Sequence, residues 1–365
     1  MTEIEKSRIE FIDLLKALAI FLVITYHSID KPELNGAQNI LYGYFSYFLF
    51  GTMTVCVPLF LVAHGFLMLG RPLDIKTLIF RALNILLLAI SWSAITVIIA
   101  KIGIKDINLE GGTLHAIASH SVHGVNNHLW YLFALFGIYV FYPIINLAFM
   151  HKNKDIILYL LIILFIITFG GGFVNWAKNI FLILFISGST PKPQSDYMSI
   201  IGFGFFSNFS WTLVYFIIGG ILKDRSHKIP ASISVTLFLG SATALFLYGA
   251  IIPRFPSNIF FDTVWNGYNS IPGLIMTICG FVFLRDHVKF NAKFNRVVSV
   301  ISKNTLGIYF IHYVLISLSR PTFNSSNLSN IPAVILIYSA LILIVSCAIS
   351  IVCRPIPFVG RLFRI

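Results

Sequence analysis

The chain has 365 residues, 57% of them apolar and 11% charged, with a formal net charge of +12. A soluble domain carries about 25% charged residues and a disordered chain is poor in apolar ones, so both classes are excluded; the long unbroken apolar runs also exclude a membrane β-barrel. What remains is an all-α, polytopic membrane bundle whose basic residues lie between apolar spans, where they serve topology and anionic lipid headgroups rather than nucleic acid.

Runs of roughly 20 apolar residues predict about ten transmembrane helices, over 11–29, 47–69, 82–101, 128–149, 156–174, 209–222, 231–251, 269–284, 299–319 and 332–352. A shorter apolar run, 177–189, suits an interfacial or re-entrant helix. The polar segment Met1–Glu10 and the lack of a small-residue cleavage site make the first span an expected signal anchor. With the amino terminus inside, 19 of the 26 Lys and Arg residues fall on the inner side and 7 on the outer. That bias places both termini in the cytoplasm. One integral membrane domain over 1–365 is expected, with no appended soluble domain, no sequence repeat and no low-complexity tract.

The first span, RIEFIDLLKALAIFLVITYHS, carries ionisable residues inside the apolar run. Eleven positions at about 100° each return a helix to nearly the same face, so Lys16 and His27 share one stripe, roughly 16 Å apart along the axis. Asp13 precedes Lys16 by three residues, within reach of a helix-surface pair. Taken singly, Lys16 reads as a snorkelling side chain and His27 as an interfacial histidine. Together on one stripe they read as a functional site. Of the three, only His27 has an ordinary pKa that lets it exchange a proton near neutrality, which suits a general base acting on a hydroxyl.

The second span contains PLFLVAHGFLMLGRP. Pro58 permits a kink, and the His64–Gly65 pair lets another group approach the backbone. Arg71, Lys76 and Arg81 then crowd into a short inner connection. They read either as positive-inside topology or as a cluster that binds the phosphates of a cytosolic cofactor. Arg81, at the start of the third span, is the least easily explained by topology.

Two outer loops, about 102–127 and 175–208, are long enough to carry function. His115, His120 and His123 in the first have metal-like spacing without a fourth ligand, so they read as a solvent-exposed cluster and no metal is expected. The motif HLWYL, His128 to Leu132, opens the fourth span as an aromatic belt would. In LGIYFIH, Leu306 to His312, Tyr309 and His312 stand at i, i+3 on one face, as a polar pair lining the bundle or as packing. The four cysteines form no CxxC pair and support neither a disulfide framework nor a zinc site. Neither a Walker loop nor a GxSxG elbow is present.

In this order the segments resemble the membrane acyltransferase-3 family, which includes bacterial O-antigen, capsule and enterobacterial-common-antigen O-acetyltransferases. The matching positions are Arg8, Asp13-Leu-Leu-Lys16, His27 after ten further residues, PLFLVAHGFLM, the connection with Lys76 and Arg81, HLWYL and LGIYFIH. The resemblance runs from about residue 8 to residue 352. His64 departs from the pattern, standing where the family usually has Ser before Gly.

The resemblance implies a bacterial inner-membrane enzyme that moves an acetyl or other short acyl group from cytosolic acyl-CoA to a hydroxyl of an extracytoplasmic or lipid-linked glycan. It implies His27 as base, Lys16, Arg71, Lys76 and Arg81 against the coenzyme, and Asp13, Tyr309 and His312 as further catalytic candidates. Asn126, Asn127, Trp130 and His64 are then candidates for contact with the acceptor. Membrane lipids and the glycan are the expected partners, and a homodimer is left open. Two other readings stay open at this level. One is a proton-coupled exporter of a glycan or lipid precursor with His27, Asp13 and His312 as relay; the other is a non-catalytic scaffold.

Overall fold

The computed structural model describes residues 9–29, 40–72, 74–103, 128–186, 209–251, 263–264, 267–324 and 331–363. They fold into α1 (Glu10–Ser28), α2 (Ile40–Thr52), α3 (Cys56–Met68), α4 (Ile75–Gly103), α5 (Trp130–Met150), α6 (Lys154–Phe165), α7 (Gly171–Phe185), α8 (Trp211–Lys223), α9 (Ala231–Ile251), α10 (Ile271–His287), α11 (Ala292–Asn324) and α12 (Pro332–Cys353). Among the described residues there is no strand.

Seven helical stretches among these residues are long and apolar enough to cross a bilayer: Glu10–Ser28, Gly43–Met68, Ile75–Ile102, Trp130–Met150, Lys154–Leu182, Ala231–Ala250 and Pro332–Cys353. The other three expected spans are helical as well. However, α8 has 13 residues, α10 has 17 and ends in charge, and the 33 residues of α11 include Lys293, Arg296, Lys303 and Arg320. The chain is a transmembrane protein, and its outward faces say so. On α4, Phe80, Leu83, Leu87 and Ile90 are exposed at 72%, 59%, 61% and 48%. That is one helical stripe of apolar side chains, which only lipid accommodates.

An expected kink and an expected break are both bridged by helix. A 3-10 turn, Met53–Val55, joins α2 to α3 and places Pro58 in the first turn of α3, where its missing N–H costs little. A π-helical segment, Ile166–Gly170, carries α6 into α7. The separate short helix expected at 177–189 is therefore the continuation of the fifth span. In lipid the backbone has no water to bond to, so the helix runs through Gly170-Gly171-Gly172 instead of stopping there.

The chain divides into two compact units: Met1–Gly70 with Ala148–Ser299, and Arg71–Leu147 with Val300–Ile365. In the first unit, α3 and α8 cross backbone to backbone. A Cβ on Gly65 would lie 1.8 Å from the Phe216 carbonyl oxygen, and one on Gly219 would lie 2.1 Å from that of Val62. Glycine is required at both places because the helices leave no room for a side chain. Against α3 and α10 packs α1, with Phe11 edge-on to Phe66 at 5.4 Å and to Phe281 at 5.6 Å. Polar side chains in this unit are tied to backbone: the Tyr215 hydroxyl donates to Tyr268 O at 2.8 Å, and Ser270 caps α10 by accepting from Gly273 N at 3.1 Å.

At the other end of α10 lies a buried ionic cluster. The Asp286 side chain is 4% exposed and accepts from Arg225, from Arg285 Nε at 2.9 Å and from Ile229 N at 3.3 Å. Burial pushes this carboxyl up, but the hydrogen bonds from Arg285 and Arg225 outweigh it and hold the group below its usual range. A depressed carboxyl stabilises the fold above the ordinary Asp pKa and loses that contribution as pH falls through the folded value. Asp286→Asn is expected to cost about 3 kcal/mol at neutral pH, the lower end for a buried pair because both guanidiniums keep some solvent. The loss of stability below about pH 4 should also become shallower. Thermal midpoints in detergent across that range check both; a variant with the wild-type midpoint and the same acid limb denies the cluster this role.

In the second unit, Trp92 on α4 stacks on Phe310 at 4.6 Å, meets Phe363 edge-on at 5.6 Å and donates to Leu362 O at 2.9 Å. Here α11 and α12 cross at Gly307, where a Cβ would lie 2.1 Å from Ser350 Oγ. Ser350 in turn donates to Asn304 Oδ1 at 3.1 Å. These anchors hold Tyr309 and His312 on the helix that also carries Phe310.

Candidate active site

In the first unit the polar stripe of α1 faces protein. Ile12, Leu15, Ala19, Ile20, Val23 and Ile24 are buried, whereas Leu18 on the opposite side is exposed. Asp13 is buried and Lys16 and His27 are half-buried on or beside that buried face. Two other polar side chains of the helix are used up locally: Thr25 donates to Phe21 O at 2.9 Å and Ser28 to Ile24 O at 2.8 Å. The His27 ring lies 5.0 Å edge-on from Tyr26, which stacks on Phe50 of α2 at 5.7 Å. The half-buried imidazole thus lies against the Tyr26 ring near the end of the helix. A half-buried imidazole in such surroundings can accept a proton from a hydroxyl brought to it.

The second unit carries two groupings. In the first, Asp74 begins α4 by accepting from Lys76 N at 3.1 Å and from the Thr77 hydroxyl. Its carboxyl is held below the usual range, foremost by Thr77. Arg81 stands one turn above Leu78, one below Ile85 and two below Leu88, at the end of the buried stripe of α4. Its guanidinium donates to the Tyr139 hydroxyl, and Tyr142 lies within electrostatic reach of both Arg71 and Arg81. Lys76 is on the other side, in line with Phe80, Leu83 and Leu87. Of the three expected cations, then, Arg71 and Arg81 are brought together against α5 and Lys76 is turned outward.

In the second grouping, the Tyr309 hydroxyl donates to His128 O. The His128 ring stacks on Tyr313 at 4.5 Å and stands 5.8 Å from that of His312. His312 is fully buried, and its Nδ1 lies 3.1 Å from Ile308 O. A carbonyl only accepts, so that bond places the proton on Nδ1 and the lone pair of the neutral ring on Nε2. This is the tautomer a proton acceptor needs.

A family model described as an acyltransferase domain, of the acyltransferase-3 type, matches residues 9–351, almost the whole chain. The chain belongs to the acyltransferase-3 family. Comparison with curated proteins and with solved structures yields no match.

In this acyltransferase-3 chain, Gly65 and His64 have separate jobs. Gly65 admits the Phe216 carbonyl, while the half-buried His64 ring lies 5.8 Å from that of Phe216. Trp130 is buried at 6% exposure, edge-on to Tyr131. Asn126, Asn127, His115, His120, His123 and Arg8 lie outside the described residues. Among the described residues no three His, Cys, Asp or Glu side chains gather as a metal site. The sequence reading took HLWYL for its aromatic rings and passed over His128, which is 1% exposed and central to the second grouping. The available signal was an imidazole at one end of an apolar span, as for His27. Tyr139 and Tyr142, which face Arg81 and Arg71, were not singled out either, because one helical face is visible only once its neighbour is known.

Proposed function

We propose that this acyltransferase is an integral membrane O-acetyltransferase of the bacterial inner membrane. It spans the bilayer ten times with both termini in the cytosol, and moves an acetyl or other short acyl group from acyl-CoA to a hydroxyl of a surface or lipid-linked glycan. The observation that carries the reading is the protein-facing stripe of α1, with Lys16 and His27 half-buried on it in a chain of this family. An ionisable pair at that depth costs free energy unless function retains it.

His27 is the general base. Its neutral nitrogen takes the proton of the acceptor hydroxyl as the oxygen forms a bond to the thioester carbonyl carbon. The carbon–sulfur bond then breaks, and the thiolate leaves as free CoA with a proton returned from the imidazolium. Asp13 sits one turn from Lys16 to balance its charge. Arg71, Arg81 and Lys16 meet the negative end of the donor, and Lys76, on the outward side of α4, does not share that grip. Exposed guanidiniums at Arg71 and Arg81 suit phosphate in the bidentate geometry that arginine supplies. Tyr309 and His312 serve in positioning rather than at the carbonyl oxygen, since Tyr309 donates to His128 O and His312 Nε2 carries a lone pair, while His64, Asn126, Asn127 and Trp130 contact the acceptor. Direct attack and an acyl-imidazole intermediate use the same residues, and a burst of thiol release ahead of glycan labelling marks the second.

The test is incubation of the purified chain with radiolabelled acetyl-CoA and surface glycan from a cell lacking the gene. Equal amounts of free thiol and labelled glycan are expected. Movement of unmodified glycan into vesicles without any need for CoA would instead establish an exporter and end the transferase reading.

A further inference from the structure

Three side chains of α5 stand on one helical face at i, i+3 and i+7: Tyr139, Tyr142 and Asn146. All are buried, at 4%, 5% and 0% exposure, inside a helix that is otherwise almost wholly apolar. Each lies near one or both of the same pair of residues. The Asn146 amide donates to the backbone carbonyl of Arg71 at 2.8 Å. The Tyr139 hydroxyl accepts from the Arg81 guanidinium, and Tyr142 lies within electrostatic reach of both arginines. Arg71 and Arg81 are themselves exposed.

Packing alone does not call for this chemistry. Phenylalanine would fill the space of either tyrosine, and leucine that of the asparagine, without the cost of burying polar groups in lipid. An exposed arginine by itself has about 2 kcal/mol of rotamer entropy to lose before it can grip an anion. A buried hydroxyl holding one guanidinium, and a buried amide holding the main chain of the other, remove part of that cost before a ligand arrives.

We infer that Tyr139, Tyr142 and Asn146 are positioning residues that hold Arg71 and Arg81 as a matched pair for two phosphate groups of one ligand. The inference rests on the reading of these arginines as the grip on the acyl donor, and it narrows that grip to the donor's diphosphate. Two forks, each able to hold one phosphate bidentately, exceed what a lone carboxylate or a single phosphate uses.

The test is equilibrium binding of radiolabelled CoA to the full chain in detergent, for wild type, Tyr139→Phe, Arg81→Ala and the double variant. Monodispersity is checked by gel filtration, and Tyr139→Phe keeps the ring that packs. Arg81→Ala is expected to weaken CoA at least about tenfold and Tyr139→Phe about three- to tenfold, the range for one hydrogen bond to a charged group at a partly exposed site. The double variant should bind no more weakly than Arg81→Ala alone, because Tyr139 acts through Arg81. In turnover, Tyr139→Phe should raise KM for acetyl-CoA by the same factor, leaving kcat and the KM for glycan in place. Wild type that fails to bind CoA would remove the underlying reading. CoA binding lost in Arg81→Ala but intact in Tyr139→Phe, or losses that add in the double variant, would leave that reading standing and overturn the inference.

Discussion

His27→Ala is expected to abolish acyl transfer, with a fall in kcat of about 10²–10⁴-fold, the usual contribution of a positioned general base. The protein should remain folded and membrane-inserted. The reason lies in what the side chain touches. His27 is half-buried near the end of α1, edge-on to Tyr26, while the helix is held by Phe11 between Phe66 and Phe281 and by the fully buried Leu15, Ile20 and Ile24. None of those anchors involves the imidazole. Truncation to alanine therefore removes the proton acceptor and little of the packing. The measurement pairs thiol release from acetyl-CoA with gel filtration and a thermal midpoint in detergent. Wild-type turnover in a well-folded His27→Ala chain rules out the base; lost turnover with an unchanged midpoint assigns the loss to chemistry.

Gly65→Ala is the second large effect, and it acts on the scaffold. The new Cβ would lie 1.8 Å from the carbonyl oxygen and 2.8 Å from the carbonyl carbon of Phe216. Those are backbone atoms of α8, which cannot rotate aside as a side chain would, so the two helices must part. Overpacking costs about 1–3 kcal/mol when side chains can adjust, and a backbone clash belongs at the top of that range. Gly219→Ala meets Val62 O at 2.1 Å from the other side and should behave alike. Gly240 on α9 has nothing within 4 Å of a Cβ. Gly240→Ala should therefore be neutral or stabilising by roughly 0.5–1 kcal/mol, the ordinary gain of alanine over glycine in a helix. Because α1 packs on α3, parting of α3 and α8 should also lower transfer through the placement of His27. A Gly65→Ala midpoint equal to that of Gly240→Ala would show that the crossing tolerates separation.

Much was legible in the residues because lipid imposes simple rules. Apolar runs and the distribution of Lys and Arg reveal an all-helical membrane chain, since a backbone in hydrocarbon must bond to itself. The His64–Gly65 pair was readable as a place of close approach, and the Phe216 carbonyl occupies that place. The stripe from Lys16 to His27 was readable because a helix fixes the angle between any two of its positions. The fifth span was read too short, because glycines that stop a helix in water do not stop one in lipid.

By itself, then, the sequence determined the class of fold and which ionisable residues lie within apolar helices, both of which follow from local periodicity and solvent, and its motifs carried the family resemblance. Only the tertiary structure decided which cations lie together. It set Arg71 and Arg81 against Tyr139, Tyr142 and Asn146, turned Lys76 toward the lipid-facing side and brought His128 onto Tyr313 beside His312. The physical reason is that a helix dictates the spacing of its own side chains, whereas the face it offers a partner depends on how the two helices cross, and no residue encodes that crossing alone.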